Sequence, residues 1–246
     1  MAAPIVKVFS SELQVSQNLC ELVITKANTA IKKRGLFTVG VSGGSAAKFL
    51  CDGLPQATTD WSKWRIFFCD ERHVPFSDPE CTYSFYKTNL LSKVPLSSDH
   101  IFPLNPELSV DQAAEDYKKK LHTVFTDGGL PRFDVLVLGM GPDGHTCSLF
   151  PGHPLLQETD RIVAPISDSP KPPPQRVTLT FPVINNAECA VFASCGAAKA
   201  DIVQQVLEDT SGVPLPAARV RPTNGEVIWI LDQGAAAKLD STLHKL

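Results

Sequence analysis

The sequence predicts an α/β protein with a layered, mostly parallel sheet flanked by helices, a single-domain, Rossmann-like arrangement. Three observations carry that expectation. Short apolar runs such as Leu36–Val41, Arg65–Cys69 and Phe133–Leu138 alternate with longer stretches of helical spacing, the order that builds a parallel sheet. Several of these runs end in glycine-rich or charged turns, the carboxyl edge at which open α/β sheets bind ligands. A chain of 246 residues suits one large α/β domain, and no linker or internal repeat divides residues 1–246.

The elements follow in order. The opening Met1-Ala-Ala-Pro-Ile-Val-Lys-Val-Phe has no basic segment before a long apolar one, so it reads as a first strand and not as a signal peptide. From Ser11 to Lys33, Leu13, Leu19, Leu22, Val23 and Ala27 recur at helical spacing behind a serine cap. Leu36–Val41 is a strand running into Ser42-Gly43-Gly44-Ser45 and a helix over about 46–54. Arg65–Cys69 is the next strand and ends in Asp70-Glu71-Arg72-His73. Helices are expected over 81–91 and 110–124, then the strand Phe133–Leu138, strands at 176–181 and 190–194, a helix over 198–207 and a last strand at 226–231. Residues 167–176, Ser-Asp-Ser-Pro-Lys-Pro-Pro-Pro-Gln-Arg, cannot be helix and predict a stiff extended loop.

Composition removes several classes of partner. A net charge of −3 argues against nucleic acid or an acidic membrane, and no stretch approaches the ~20 apolar residues that span a bilayer. The 7 cysteines form no C-x-x-C pair, which points to free thiols in a reducing, cytoplasmic compartment. His145 and Cys147 stand close in sequence, but no further ligand set at zinc spacing is visible, so no metal and no other cofactor is expected. Without heptads or a long apolar stripe, the expectation is a monomer.

Three strand ends carry the chemistry. Gly139-Met-Gly-Pro-Asp-Gly-His-Thr-Cys-Ser-Leu-Phe-Pro151 holds Asp143 and His145 on a glycine-built turn, and histidine is the side chain suited to proton transfer near neutral pH. Ser42-Gly43-Gly44-Ser45 places glycines and hydroxyls at a helix start, where unpaired N–H groups receive phosphate. Its spacing is neither G-x-x-x-x-G-K-[ST] nor G-x-G-x-x-G, which favours a small phosphoester over ATP or NAD. Asp70-Glu71-Arg72-His73 adds a guanidinium that can meet phosphate or a carbonyl, although such a charge cluster is commonly a solvated rim or an internal ion pair with Asp70 or Glu71. Lys171 and Arg176 around the proline loop, and Lys199 near a helix start, are the remaining candidates for an anionic site.

In this order the motifs Val-Ser-Gly-Gly-Ser, Cys-Asp-Glu-Arg-His and Gly-Met-Gly-Pro-Asp-Gly-His-Thr-Cys-Ser-Leu-Phe-Pro resemble the superfamily of 6-phosphogluconolactonases and glucosamine-6-phosphate isomerase/deaminases, over nearly the whole chain. Within it they look most like the animal cytosolic lactonase branch. The isomerase/deaminases continue the histidine turn into Phe-Asn-Glu-Pro, and Phe150 stands here in the glutamate's register. The resemblance implies hydrolysis of 6-phospho-D-glucono-1,5-lactone to 6-phosphogluconate, the second step of the oxidative pentose phosphate pathway. It implies His145 as the base, Asp143 orienting it or holding hydroxyls, and Arg72 or Lys171 at the oxyanion. Ser42, Gly43, Gly44, Ser45, Arg176 and Lys199 would then hold the phosphate. A glucosamine-6-phosphate isomerase/deaminase and a non-catalytic sugar-phosphate-binding protein are the alternatives.

Overall fold

The computed structural model describes residues 3–241. Its main sheet has seven strands, all paired in parallel: β1 (Ile5–Phe9), β2 (Phe37–Val41), β3 (Trp64–Phe68), β5 (Ile101–Phe102), β6 (Val135–Leu138), β9 (Cys189–Ser194) and β10 (Glu226–Asp232), in the spatial order β1-β10-β9-β6-β2-β3-β5. Every residue of β2, β6 and β9 is buried, as expected of strands covered on both faces. The chain steps from β2 outward through β3 to β5, then returns to the other side of β2 with β6 and continues through β9 to β10. The order therefore reverses between β2 and β6, which pair Val39 with Val135 and Val41 with Val137. In open α/β sheets that reversal opens a crevice at the carboxyl ends of the two strands.

The helices form where caps and apolar spacing agree. In α1 (Glu12–Arg34) the Ser11 side chain accepts the Gln14 N–H, Lys32, Lys33 and Arg34 fill the last turn, and Val15, Leu19, Val23, Ala27 and Ala30 are buried at intervals of three and four. Other longer helices are α2 (Ser45–Gly53), α3 (Thr82–Asn89), α4 (Val110–Val124) and, later in the chain, α6 (Ala200–Glu208). In α4 a reciprocal capping box joins Ser109 to Gln112. The Tyr117 hydroxyl of α4 donates to the Phe68 carbonyl at 3.0 Å and accepts its N–H at 2.6 Å. It thus supplies partners to β3 beyond the point where the two-residue β5 ends.

One expectation needs correction. Residues 176–181 do not join the parallel sheet. Instead β8 (Arg176–Leu179) lies between β4 (Asp70–Arg72) and β7 (Val163–Ile166) in a second sheet, antiparallel throughout. The two sheets meet at Cys69, whose N–H bonds Val41 of β2 while its carbonyl accepts the Leu179 N–H of β8. The charged segment read as a strand-end turn is thereby itself a strand, with Arg72 opposite Arg176. Neither the three-residue β4 nor the four-residue β7 is long enough to show a hydrophobic period. The chain ends its described part through α5 (Phe181–Ile184), α6 (Ala200–Glu208) and β10. Residues 167–175 contain no helix. Met1 and Ala2, part of the expected first strand, lie outside the described residues.

Candidate active site

The loop after β2 has the build of an anion cradle. Gly44 precedes the first residue of α2 with φ 74° and ψ −148°, a backbone setting open to glycine, and no side chain caps the helix. The first-turn N–H groups are therefore unspent, no acidic residue stands in that turn, and the positive end of the helix dipole faces the cleft. Ser42 is buried and its Oγ has no protein partner, whereas its carbonyl accepts the Tyr86 hydroxyl at 3.0 Å, which fixes the loop. Lys199 reaches toward the same space, its Nζ donating to the Met140 carbonyl at 2.9 Å. The cleft they share is about 340 Å³ and is also walled by Asp70, Arg72, His145 and Arg176.

The turn after β6 supplies the titratable groups. The Gly141 N–H donates to the His145 carbonyl at 2.9 Å, folding the turn so that Asp143 Oδ1 lies 2.5 Å from His145 Nδ1. A Cβ at position 141 would stand 2.0 Å from both Cε1 and Nδ1 of that imidazole, so only glycine permits the approach. The Phe150 ring packs 4.7 Å from the imidazole, centroid to centroid. Nε2 has no protein partner among the described residues and is left for a ligand. Burial pulls the His145 pKa below its ordinary 6.5; Asp143 opposes this and Lys171 reinforces it. Partial burial alone would raise the Asp143 carboxyl, but hydrogen bonds from Lys171 and His145 outweigh it and hold the pKa down at about 2.

The structure separates the roles open to the remaining candidates. Lys171 does not wall the cleft; its Nζ lies 2.8 Å from Asp143 Oδ1 and 3.1 Å from His145 Nδ1. Arg176 is buried and directs Nε to the Pro173 carbonyl at 3.1 Å and Nη2 to the carbonyls of Pro172 and Lys171 at 2.9 and 3.2 Å. Two of its three nitrogens thus hold the proline loop, although the side chain lines the cleft. The Arg72 guanidinium pairs with Glu80, through the carboxylate at 2.9 Å and the carbonyl at 3.0 Å, and not with the carboxylates of Asp70 or Glu71; only the Arg72 backbone N–H reaches Glu71, at 2.9 Å. Glu71 instead caps α3 by accepting the N–H groups of Thr82 and Tyr83 at 2.9 and 2.8 Å, and burial pushes its pKa up to about 7 against those donors. Among the described residues no three His, Cys, Asp or Glu side chains cluster as a metal site.

One pair escaped the sequence reading. Asp70 walls the cleft, and its Oδ2 accepts the hydroxyl of the fully buried Ser148 at 2.8 Å. The two lie 78 residues apart, and a serine three places past a histidine carries no local sign of that partner.

An imidazole paired with a carboxylate, facing an uncapped helix start across a switch-point crevice, is the equipment of an α/β protein suited to acid–base chemistry on a small anionic ligand. Residues 10–229 match the family described as glucosamine-6-phosphate isomerases/6-phosphogluconolactonase. The chain is 49% identical over an alignment of 254 positions to a 6-phosphogluconolactonase of Bos taurus, covering 100% of this chain and 98% of that one. With that of Homo sapiens it shares 48% at the same coverage. The solved 6-phosphogluconolactonase of Trypanosoma brucei superposes with a TM-score of 0.83 at 27% identity, covering 98% of this chain and 100% of that one. The chain belongs to the glucosamine-6-phosphate isomerase/6-phosphogluconolactonase family.

Proposed function

We propose that the protein hydrolyses 6-phospho-D-glucono-1,5-lactone to 6-phospho-D-gluconate, the second step of the oxidative pentose phosphate pathway. The observation that carries the mechanism is the unpartnered Nε2 of His145 at the cleft that also holds the anion cradle. The substrate phosphate sits on the Ser42–Ser45 loop and the first turn of α2, with Lys199 and the remaining Arg176 donor adding charge. Anchoring that remote group lets binding energy align the lactone carbonyl with the base.

His145 Nε2 takes a proton from water as the hydroxide oxygen bonds to C1. Asp143 steadies the imidazolium through Nδ1. The tetrahedral oxyanion is met by the guanidinium of Arg72, a stabilisation of about 3 kcal/mol per well-placed donor. Collapse then breaks the bond from C1 to the ring oxygen, which receives the proton back from Nε2. Asp70, held by Ser148, is left as an acceptor for substrate hydroxyls. Phe150 favours this reaction over ring opening of an amino sugar, since a phenyl ring against the imidazole supplies no second carboxylate.

Cytoplasmic residence and a monomeric state complete the reading. All seven thiols are free, which suits a reducing compartment, and among the described residues no helix is long and apolar enough to cross a membrane. Size-exclusion chromatography with light scattering tests the monomer. Hydrolysis of freshly generated lactone, followed above its spontaneous rate beside ammonia release from glucosamine 6-phosphate, tests the reaction. Fast lactone loss without ammonia is expected; the reverse pattern would transfer the chain to the deaminase reaction.

A further inference from the structure

The proline loop is an unusual place from which to reach an active-site dyad. Lys171 stands on it, and its ammonium group touches both Asp143 Oδ1 and His145 Nδ1, at 2.8 and 3.1 Å. The loop is fastened at both ends. Near its start Asp168 Oδ1 lies 3.1 Å from His153 Nε2, and near its close Arg176 binds the carbonyls of Lys171, Pro172 and Pro173. Arg176 therefore grips the backbone of the very residue whose side chain meets the dyad. Its guanidinium also lies 5.7 Å from the centre of the Phe150 ring, whose centroid is 4.7 Å from that of the imidazole.

We propose that Lys171 is a positioning residue for the histidine base, pinning Asp143 against His145 Nδ1, and that Arg176 sets the place of its ammonium group. This rests on the lactonase reading for the reaction it serves, but not for its geometry. A carboxylate alone beside an imidazole favours the imidazolium and so works against the burial that keeps the base form available. An ammonium group on the same carboxylate oxygen offsets that charge, leaving a dyad that is oriented yet unprotonated between turnovers. The charged groups facing the imidazole are consistent with this balance. Asp143 comes from its own turn, Lys171 from the proline loop and Asp70 from β4. Arg72, Arg176 and Lys199 stand on the same cleft.

The test is Lys171→Met, with Lys171→Arg beside it. Because Lys171 is a partly exposed loop residue, both variants are expected to fold. Removing the ammonium charge should move the acidic limb of kcat to higher pH, so that turnover near pH ~6 falls several-fold while KM stays within about two-fold. His145 Cε1–H followed by NMR in the unliganded protein should titrate at higher pH than in wild type, and Lys171→Arg should largely restore both readings. Arg176→Gln should move the His145 titration the same way and add nothing to Lys171→Met in the double variant; additive shifts would remove Arg176 from the arrangement. A rise in KM with the limb and the His145 titration unmoved would make Lys171 a substrate ligand and overturn the proposal. No change in any of the three readings would overturn it too. The NMR titration needs no turnover. A wild type without lactonase activity whose His145 still answers to Lys171→Met would sink the assigned reaction alone.

Discussion

The loop after β2 and the turn after β6 leave adjacent strands at the same edge of the sheet, and they are built from opposite kinds of groups. The first offers backbone N–H groups and a free serine hydroxyl, with no titratable side chain in it. The second concentrates Asp143 and His145 and draws in Lys171 from 26 residues beyond the histidine. The difference shows what each task demands. A helix start binds an anion with dipoles already fixed by its own backbone, so the cradle is complete within one β–α connection. A base needs its proton affinity and its orientation set from outside, so that turn depends on a glycine that yields room and on a loop from elsewhere in the chain.

The comparison is broken most severely at the second region. His145→Ala should lower kcat by about 10²–10⁴-fold and leave KM nearly unchanged; steady-state kinetics on fresh lactone decide it, and near-wild-type turnover would remove His145 from the mechanism. Next in size comes Gly141→Ala, whose Cβ would lie 2.0 Å from the imidazole. It must push the ring off Asp143, and a loss of kcat of about 10²-fold is expected with a cooperative thermal transition retained. Full activity in a folded Gly141→Ala protein would show that the approach to Asp143 is dispensable. The first region should fail differently. Lys199→Met should raise KM about ten-fold, the worth of one charge-assisted hydrogen bond, while kcat holds; a drop in kcat instead would place Lys199 at the reacting carbon.

The smallest effect is a shift in pH. The base form of His145 is required, and burial holds its pKa below 6.5, so the acidic limb of kcat/KM should have its midpoint below that value. The substrate phosphate, titrating near pH ~6, has to be corrected for. Asp143, held at about 2, stays ionised throughout and adds no limb of its own. A midpoint above 6.5 would mean that the carboxylate outweighs burial and Lys171 together.

What was legible in the sequence was local. Glycines and serines between a strand and a helix mark the cradle because its backbone conformation is a property of those few residues. The Asp143–His145 pair lies within one tight turn. Apolar spacing behind a serine cap placed α1, and the structure adds a capping box of the same kind in α4. The three short strands of the second sheet were not legible as a sheet, because β4 and β7 pair through β8 and owe their extension to that pairing. Arg72 shows the limit most clearly. Its acidic neighbours in sequence invited an ion pair, yet the strand turns Glu71 toward α3 and leaves Arg72 to Glu80.

By itself, then, the sequence determined the class of fold, the two strand ends that line the cleft and the residue types gathered there, since strand length, helix spacing and turn chemistry all act over a few neighbouring residues. Only the tertiary structure decided which strand end faces which, that Arg176 grips the proline loop, that Lys171 meets the dyad, and that Ser148 holds Asp70. Those contacts join residues up to 78 positions apart, and they gather at the crevice where the sheet reverses its order between β2 and β6 and the second sheet contributes Asp70, Arg72 and Arg176 to the lining.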